Sequence, residues 1–268
     1  MTEEIKIPSG HPRAESLRIR ENILKHYKAG AVATAGLIAH GRGEAFDYLL
    51  GEKTTKPALN AIKASAAMLL TAKYPVISIN GNAAALVAND MVKLSEVTGA
   101  KIEVNLFYHS IQRERAIEKV LRQVGATEVL GVDKSASARM PEIGSERRRV
   151  DPRGILIADV ILVPLEDGDR TEALVHMEKK VIAIDLNPLS RTAQLATVTI
   201  VDNIVRTMPT LVKVTDELKI EDKQELEKIS SNFDNKRNLG EAINLINQRL
   251  SKLAKSGTYL SLLEMGET

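Results

Sequence analysis

Six short runs of β-branched and aliphatic residues recur through the middle of the chain, at 75–80 (PVISIN), 101–106 (KIEVNL), 127–132 (TEVLGV), 159–163 (DVILV), 181–185 (VIAID) and 196–201 (ATVTIV). Between them lie stretches such as 83–97 and 111–124 with apolar residues three and four positions apart, the period of a helix that buries one stripe. Strand, helix, strand in repeated succession is the pattern of βαβ units and a parallel sheet. Several runs are almost wholly apolar, as strands are when both faces are covered. The chain is therefore expected to form a doubly wound α/β fold.

Helical additions flank this core. Residues 15–29 place Leu17, Ile23, Leu24 and Tyr27 on one face, and Gly30 suits the position after a helix end. Residues 56–73 are Ala-rich, with Thr55 as the expected N-cap and Pro57 in the first turn. Residues 203–219 and 239–255 also read as helices, with Pro209 expected to kink or split the first. The whole reads as one α/β domain: a helical region over 1–73, the core over 74–205 and C-terminal helices over 206–268. The tail after Gly257 is expected to fray. The longest irregular stretch, 133–154, carries Arg139, Arg147, Arg148, Arg149 and Arg153; the triplet 147–149 reads more simply as a solvated loop than as a phosphate clamp.

Composition narrows the chemistry. No cysteine occurs among 268 residues, so disulfides, thiolate nucleophiles, iron–sulfur clusters and Cys-based zinc sites are excluded. Aromatic residues make up 3 %, without tryptophan, which leaves little for a base-stacking platform. Lys and Arg number 37 against 35 acids, a net charge of +2 that gives no overall attraction to nucleic acid or to an anionic membrane. No apolar run is long enough to span a bilayer, and the N-terminus lacks the apolar stretch of a secretory signal. A soluble, cytoplasmic protein is expected.

In an open α/β sheet ligands bind outside the carboxyl ends of the strands, and here those ends are polar. The first run ends in Asn80-Gly81-Asn82 and opens a helix whose free N–H groups favour an anion. The run ending at Val163 continues into Glu166, Asp167, Asp169 and Arg170, suited to Mg²⁺, a substrate amine or a ribose; a functional role for part of this cluster is favoured over the plainer reading, in which Asp169 caps the next helix with Glu172. The next end supplies Asp185, Leu186, Asn187, Arg191 and Thr192, and the last supplies Asp202 and Asn203. Upstream, His40-Gly41-Arg42-Gly43 reads as a glycine-flanked turn before a short helix, in which Arg42 takes a phosphate. Neither a GxGxxG fingerprint nor a Walker loop is present, and no histidine pair has metal-ligand spacing. These observations indicate a phosphorylated or nucleotide ligand, and leave a ligase, a nucleotide-linked oxidoreductase and a nucleotide-sensing protein open.

Longer blocks narrow the choice. HPR at 11–13, GLIAHGRGEAFDYLLGE at 36–52, NGNAAALV at 80–87, NLFY at 105–108, VPLEDGDRTEAL at 163–174, IDLNPLSR at 184–191 and VDNIVR at 201–206 together resemble the archaeal phosphopantothenate synthetase family. The resemblance runs from about residue 7 to 255 and is weakest over 133–149. It implies a Rossmann-like homodimer that uses ATP and Mg²⁺ to join 4-phosphopantoate to β-alanine through an acyl-adenylate, in coenzyme A biosynthesis. Carried over by position, it implies ATP contacts at Arg20, Arg42, Asp185, Leu186, Asn187, Arg191, Thr192, Asn203 and Ile204. Strand-end geometry adds Asn80, Gly81, Asn82 and His40 for the phosphopantoate or its carboxylate, and Asp167, Asp169 and Arg170 for Mg²⁺ or the β-alanine ammonium.

Overall fold

The structure, a computed structural model, describes residues 7–8, 10–11, 13–165 and 168–256. Three helices come first, α1 (Ala14–Lys28), α2 (Thr34–Leu50) and α3 (Lys56–Thr71). The core follows with β1 (Pro75–Ile79), α4 (Gly81–Thr98), β2 (Lys101–Val104), α5 (Ile111–Gln123), β3 (Ala138–Arg139), β4 (Arg149–Val150), β5 (Val160–Pro164), α6 (Gly168–His176), β6 (Lys180–Ile184), α7 (Arg191–Leu195) and β7 (Val198–Ile200). The chain continues through α8 (Ile204–Leu218), α9 (Lys223–Ser231) and α10 (Asn235–Ser256).

Five strands form a parallel sheet in the order β2-β1-β5-β6-β7. The chain moves outward from β1 to β2, returns beside β1 at β5, and then winds the other way. The switch point thus lies between β1 and β5, where the carboxyl ends open a crevice. This is the doubly wound, Rossmann-like architecture expected from the alternating pattern.

Alternation along the strands divides the core. Ile77, Ile79, Ile102, Val104, Leu162, Ile182 and Ile200 face α3, α4, α5 and α8, whereas Val76, Ile161, Val163, Val181 and Ala183 face the other way. Helix α6 covers part of that second face with Ala173 and Leu174; Met140, Ile143, Val150 and Ile155 cover the rest. The arginine-rich stretch is therefore a cover for the sheet, pinned by the β3–β4 hairpin.

Three sequence expectations change. Residues 127–132 make only a bridge, Leu130 to Glu103. Gly131 has φ +76°, and a Cβ there would stand 2.2 Å from Val104 O, so the chain turns away after one pairing. Helix α8 runs through Pro209 without splitting. The HGRG element is not a turn, because α2 continues from Thr34 to Leu50. The N-cap at Thr55 is as expected, its hydroxyl accepting from Ala58 N. The expectation for the tail after Gly257 lies outside the described residues. No helix among the described residues is long and apolar enough to cross a membrane.

Candidate active site

A cleft follows the carboxyl rim of the sheet. From one end to the other it meets Leu106–Tyr108 after β2, Asn80–Asn82 after β1, Leu165 after β5, Leu186 after β6, and Asn203 and Ile204 after β7. Helix α2 forms its roof with Gly36, Ala39, His40, Gly43 and Glu44. His40, Asn80, Gly81, Asn82, Leu186, Asn203 and Ile204 of the sequence candidates therefore share one cavity wall.

Close approach explains the glycines. A Cβ on Gly36 would stand 2.2 Å from Asn82 Oδ1, and one on Gly81 2.2 Å from Ala31 O. Asn82 Nδ2 donates to Gly36 O at 2.8 Å and ties α2 to the start of α4. Asn80 caps α4 by accepting from Ala83 N at 3.0 Å, and its Nδ2 donates to Pro164 O at 2.9 Å. One asparagine thus bridges the switch point and orders the free N–H groups of the helix start.

On α2, His40 and Glu44 are one turn apart on the cleft side. Arg20 of α1 grips Glu44 with two hydrogen bonds, Nη2 to Oε1 at 2.6 Å and Nε to Oε2 at 3.0 Å, and Tyr48 donates to Oε1 at 2.6 Å. Burial pushes the Glu44 carboxyl up, but Arg20, Tyr48 and His40 outweigh it and leave it below the ordinary range. His40 moves down, chiefly because burial disfavours the imidazolium; Glu44 opposes the shift and Arg20 adds to it.

At the β6 end Asp185 accepts from Ser190 Oγ at 2.5 Å and from Asn187 N at 2.9 Å, which shapes the 185–190 turn. Burial raises the Asp185 carboxyl, partly offset by those donors and by the charge of Arg42. At the β7 end Asn203 caps α8, accepting from Val205 N at 3.3 Å, and its Nδ2 donates to Asp47 Oδ2 at 2.8 Å. Arg206 spans Asp47 and Asp202, with Nη2 2.6 Å from Oδ1 of each. Glu44, Asp47 and Arg206 were not among the sequence candidates, although each stands inside a quoted block.

Other candidates lie outside this cavity lining. Asp169 does not cap α6, which begins at Gly168; its exposed carboxylate instead meets Arg191 Nη1 at 2.5 Å, and Arg191 also binds Glu172. Arg170 is fully buried and donates to Ser78 Oγ at 3.0 Å beneath the sheet. Thr192 is buried in α7, and Arg42 is exposed on α2. Asp167 lies outside the described residues. At the β2 end the cleft wall holds Arg113 and Arg147; the latter is 6 % exposed rather than a solvated loop residue. The apolar residues interleaved with these arginines were the available signal. Among the described residues no group of three or more His, Asp or Glu side chains is placed to hold a metal ion.

Comparison with known proteins identifies the family. Residues 57–249 match the model of the phosphopantothenate/pantothenate synthetase family. The chain is 49 % identical to a 4-phosphopantoate–β-alanine ligase of Thermococcus kodakarensis, over 95 % of this chain and 97 % of that one. It is 51 % identical to the protein of the same name from Methanosarcina mazei, over 94 % and 99 %. A third, from Methanospirillum hungatei, is 45 % identical over 91 % and 98 %. The family-model match and these near-full-length relatives show that the chain belongs to the phosphopantothenate/pantothenate synthetase family.

Proposed function

We propose that the chain is itself a 4-phosphopantoate–β-alanine ligase, forming 4′-phosphopantothenate, AMP and pyrophosphate for coenzyme A synthesis. The observation that carries this reading is the 49 % identity to the Thermococcus ligase across 95 % of the chain. The acid's carboxylate attacks the α-phosphorus of ATP and displaces pyrophosphate, giving the acyl-adenylate. The free amine of β-alanine then attacks the acyl carbon, AMP leaves, and the nitrogen loses its extra proton. Neither step requires a protein nucleophile. The chain must position reactants, offset phosphate charge and exclude water.

The β6–β7 end suits the nucleotide. The 185–187 turn and Asn203 offer polar groups beside the apolar walls of Leu186 and Ile204. Arg20, Arg42 and Arg191 supply charge to the phosphates. ATP binding then exchanges Arg20's partner from Glu44 to a phosphate oxygen. The β-alanine ammonium suits Glu44, the one carboxylate in the cleft wall among the described residues. His40, kept neutral one turn away, accepts the proton that the ammonium must lose. Asp169 and Arg170 fit that role less well, being engaged with Arg191 and Ser78. Mg²⁺ would be held chiefly by the phosphates of ATP, as this ion usually is, where it would neutralise their charge.

The same reading includes a homodimer in the cytoplasm; Leu24, Tyr27 and Ile38, exposed on α1 and α2, offer apolar surface for a second copy. The deciding assay is AMP and pyrophosphate release with both substrates and with each omitted. Release that depends on both 4-phosphopantoate and β-alanine supports the reading, and its absence refutes it.

A further inference from the structure

The cleft ends over β2 in a cationic corner. Arg113 donates from Nη2 to Ala31 O at 3.3 Å and from Nη1 to Tyr108 O, both neutral carbonyls. Its Nε is shielded from water and makes no hydrogen bond. Arg147 is held rigidly: Nη1 donates to Asn105 O at 2.8 Å, while Asn105 Nδ2 donates to Arg147 O at 3.0 Å and Arg149 O at 2.9 Å. Burial, and then the charge of Arg147, pull Arg113 below its ordinary value. The start of α4 adjoins them, since a Cβ on Gly81 would meet Arg113 Nη2 at 3.2 Å. A half-buried guanidinium answered only by neutral oxygens, beside a second cation and the positive end of a helix, favours an added anion.

We propose that this corner binds the phosphate of 4-phosphopantoate, so that Arg113 and Arg147 select the phosphorylated acid over pantoate. The proposal rests on the ligase reading and deepens it. Strand order supports the placement. The corner stands over β2 and β1, the nucleotide candidates over β6 and β7, and four strand spacings of about 4.8 Å set the two ends roughly 19 Å apart. The acid's carboxylate then lies between them, near Asn80 and Leu165, facing the α-phosphorus. A guanidinium fork matches two phosphate oxygens in a way that a lysine does not.

The test compares the native protein with Arg113→Gln and Arg113→Lys, using AMP release with ATP, β-alanine and either 4-phosphopantoate or pantoate. Circular dichroism reports folding of each variant. In Arg113→Gln the KM for 4-phosphopantoate rises roughly 10- to 100-fold and the preference for the phosphorylated acid over pantoate narrows, while the KM for ATP stays near native. Arg113→Lys, gentler on the fold, is intermediate. An undiminished preference for the phosphorylated acid in the folded variants overturns the proposal, as does a rise confined to the KM for ATP. Calorimetry with inorganic phosphate reads the corner without turnover: native binding that Arg113→Lys weakens supports an anion site, and equal binding opposes it. No AMP release by the native protein with any acid would refute the ligase reading instead.

Discussion

Arg206→Met tests whether the charged network behind Asn203 holds the site in place. Arg206 joins two nearly buried carboxylates, Asp47 at 5 % and Asp202 at 1 % exposure, each with an oxygen 2.6 Å from Nη2. Methionine keeps much of the aliphatic stem, so the main loss is charge. Removing one member of a buried ion pair costs ~3–5 kcal/mol, because the partner is left uncompensated. Asp47 retains the hydrogen bond from Asn203, and Asp202 those from Thr54 Oγ1 at 2.6 Å and Asn203 N at 2.7 Å. The cost therefore falls near the lower limit, about 3 kcal/mol, which lowers Tm by roughly 6–12 °C for a chain of this size. Arg206→Lys falls between, since a point charge cannot reproduce the fork. Urea unfolding followed by circular dichroism measures both. A methionine variant within about 1 kcal/mol of native, the range of an exposed pair, would refute the reasoning.

Four further outcomes are expected. Burial lifts Glu103, only partly offset by the N–H groups of Ile155 and Asp151, from 4.5 to about 7. A carboxyl raised in the folded state gives stability that is complete below the unfolded value and lost as pH climbs through the folded one. Tm should thus fall between pH 5 and 8, and Glu103→Gln should flatten that slope; an unchanged slope counts against it. His40 is depressed below 6.5, so its stability contribution is complete above 6.5 and is lost as pH falls; its ring resonances in NMR should titrate below that value, and a midpoint above it opposes the proton-accepting role. Asp185→Ala should raise the KM for ATP more than that for β-alanine, and equal changes argue against a nucleotide contact. Glu44→Gln should release Arg20 and lower the KM for ATP by up to about 5-fold, the worth of a solvent-reached pair, while reducing kcat; a higher KM for ATP would contradict the partner exchange.

Much of the sheet was legible because period and composition agree locally: five of the six apolar runs are strands of the sheet. The sixth fails at Gly131, whose closeness to Val104 O is a tertiary fact that no local pattern reveals. The glycines of α2 misled in an informative way. Glycine lowers helix propensity by about 1 kcal/mol relative to alanine, so His40-Gly41-Arg42-Gly43 reads as a turn. Closeness requires the glycine only at Gly36, where a Cβ would clash with Asn82; Gly41 has open space and a Cβ on Gly43 would make ordinary contact with Leu186, so α2 simply carries the cost of those two. Arg147 escaped because arginine-rich loops are normally wet, and only Met140, Ile143, Val150 and Ile155 signal that this one lies on the sheet.

Among the arginines paired with the carboxylates of α2 and the strand ends, burial separates Arg20 and Arg191 from Arg206. Arg20 and Arg191 pair with Glu44, Asp169 and Glu172 where solvent reaches at least one partner, with Arg20 at 40 % and Arg191 at 59 % exposure. Such pairs contribute roughly 0–1 kcal/mol, so a phosphate bearing more charge displaces the carboxylate readily. The side chain of Arg206 is 20 % exposed between two buried carboxylates, and no ligand repays its withdrawal. On the proposed reading Arg20 and Arg191 can change partner, whereas Arg206 stands behind Asn203 and keeps its carboxylates. A sequence shows the same residue type in both places. The distinction follows only from which carboxylate each meets and how dry the meeting is.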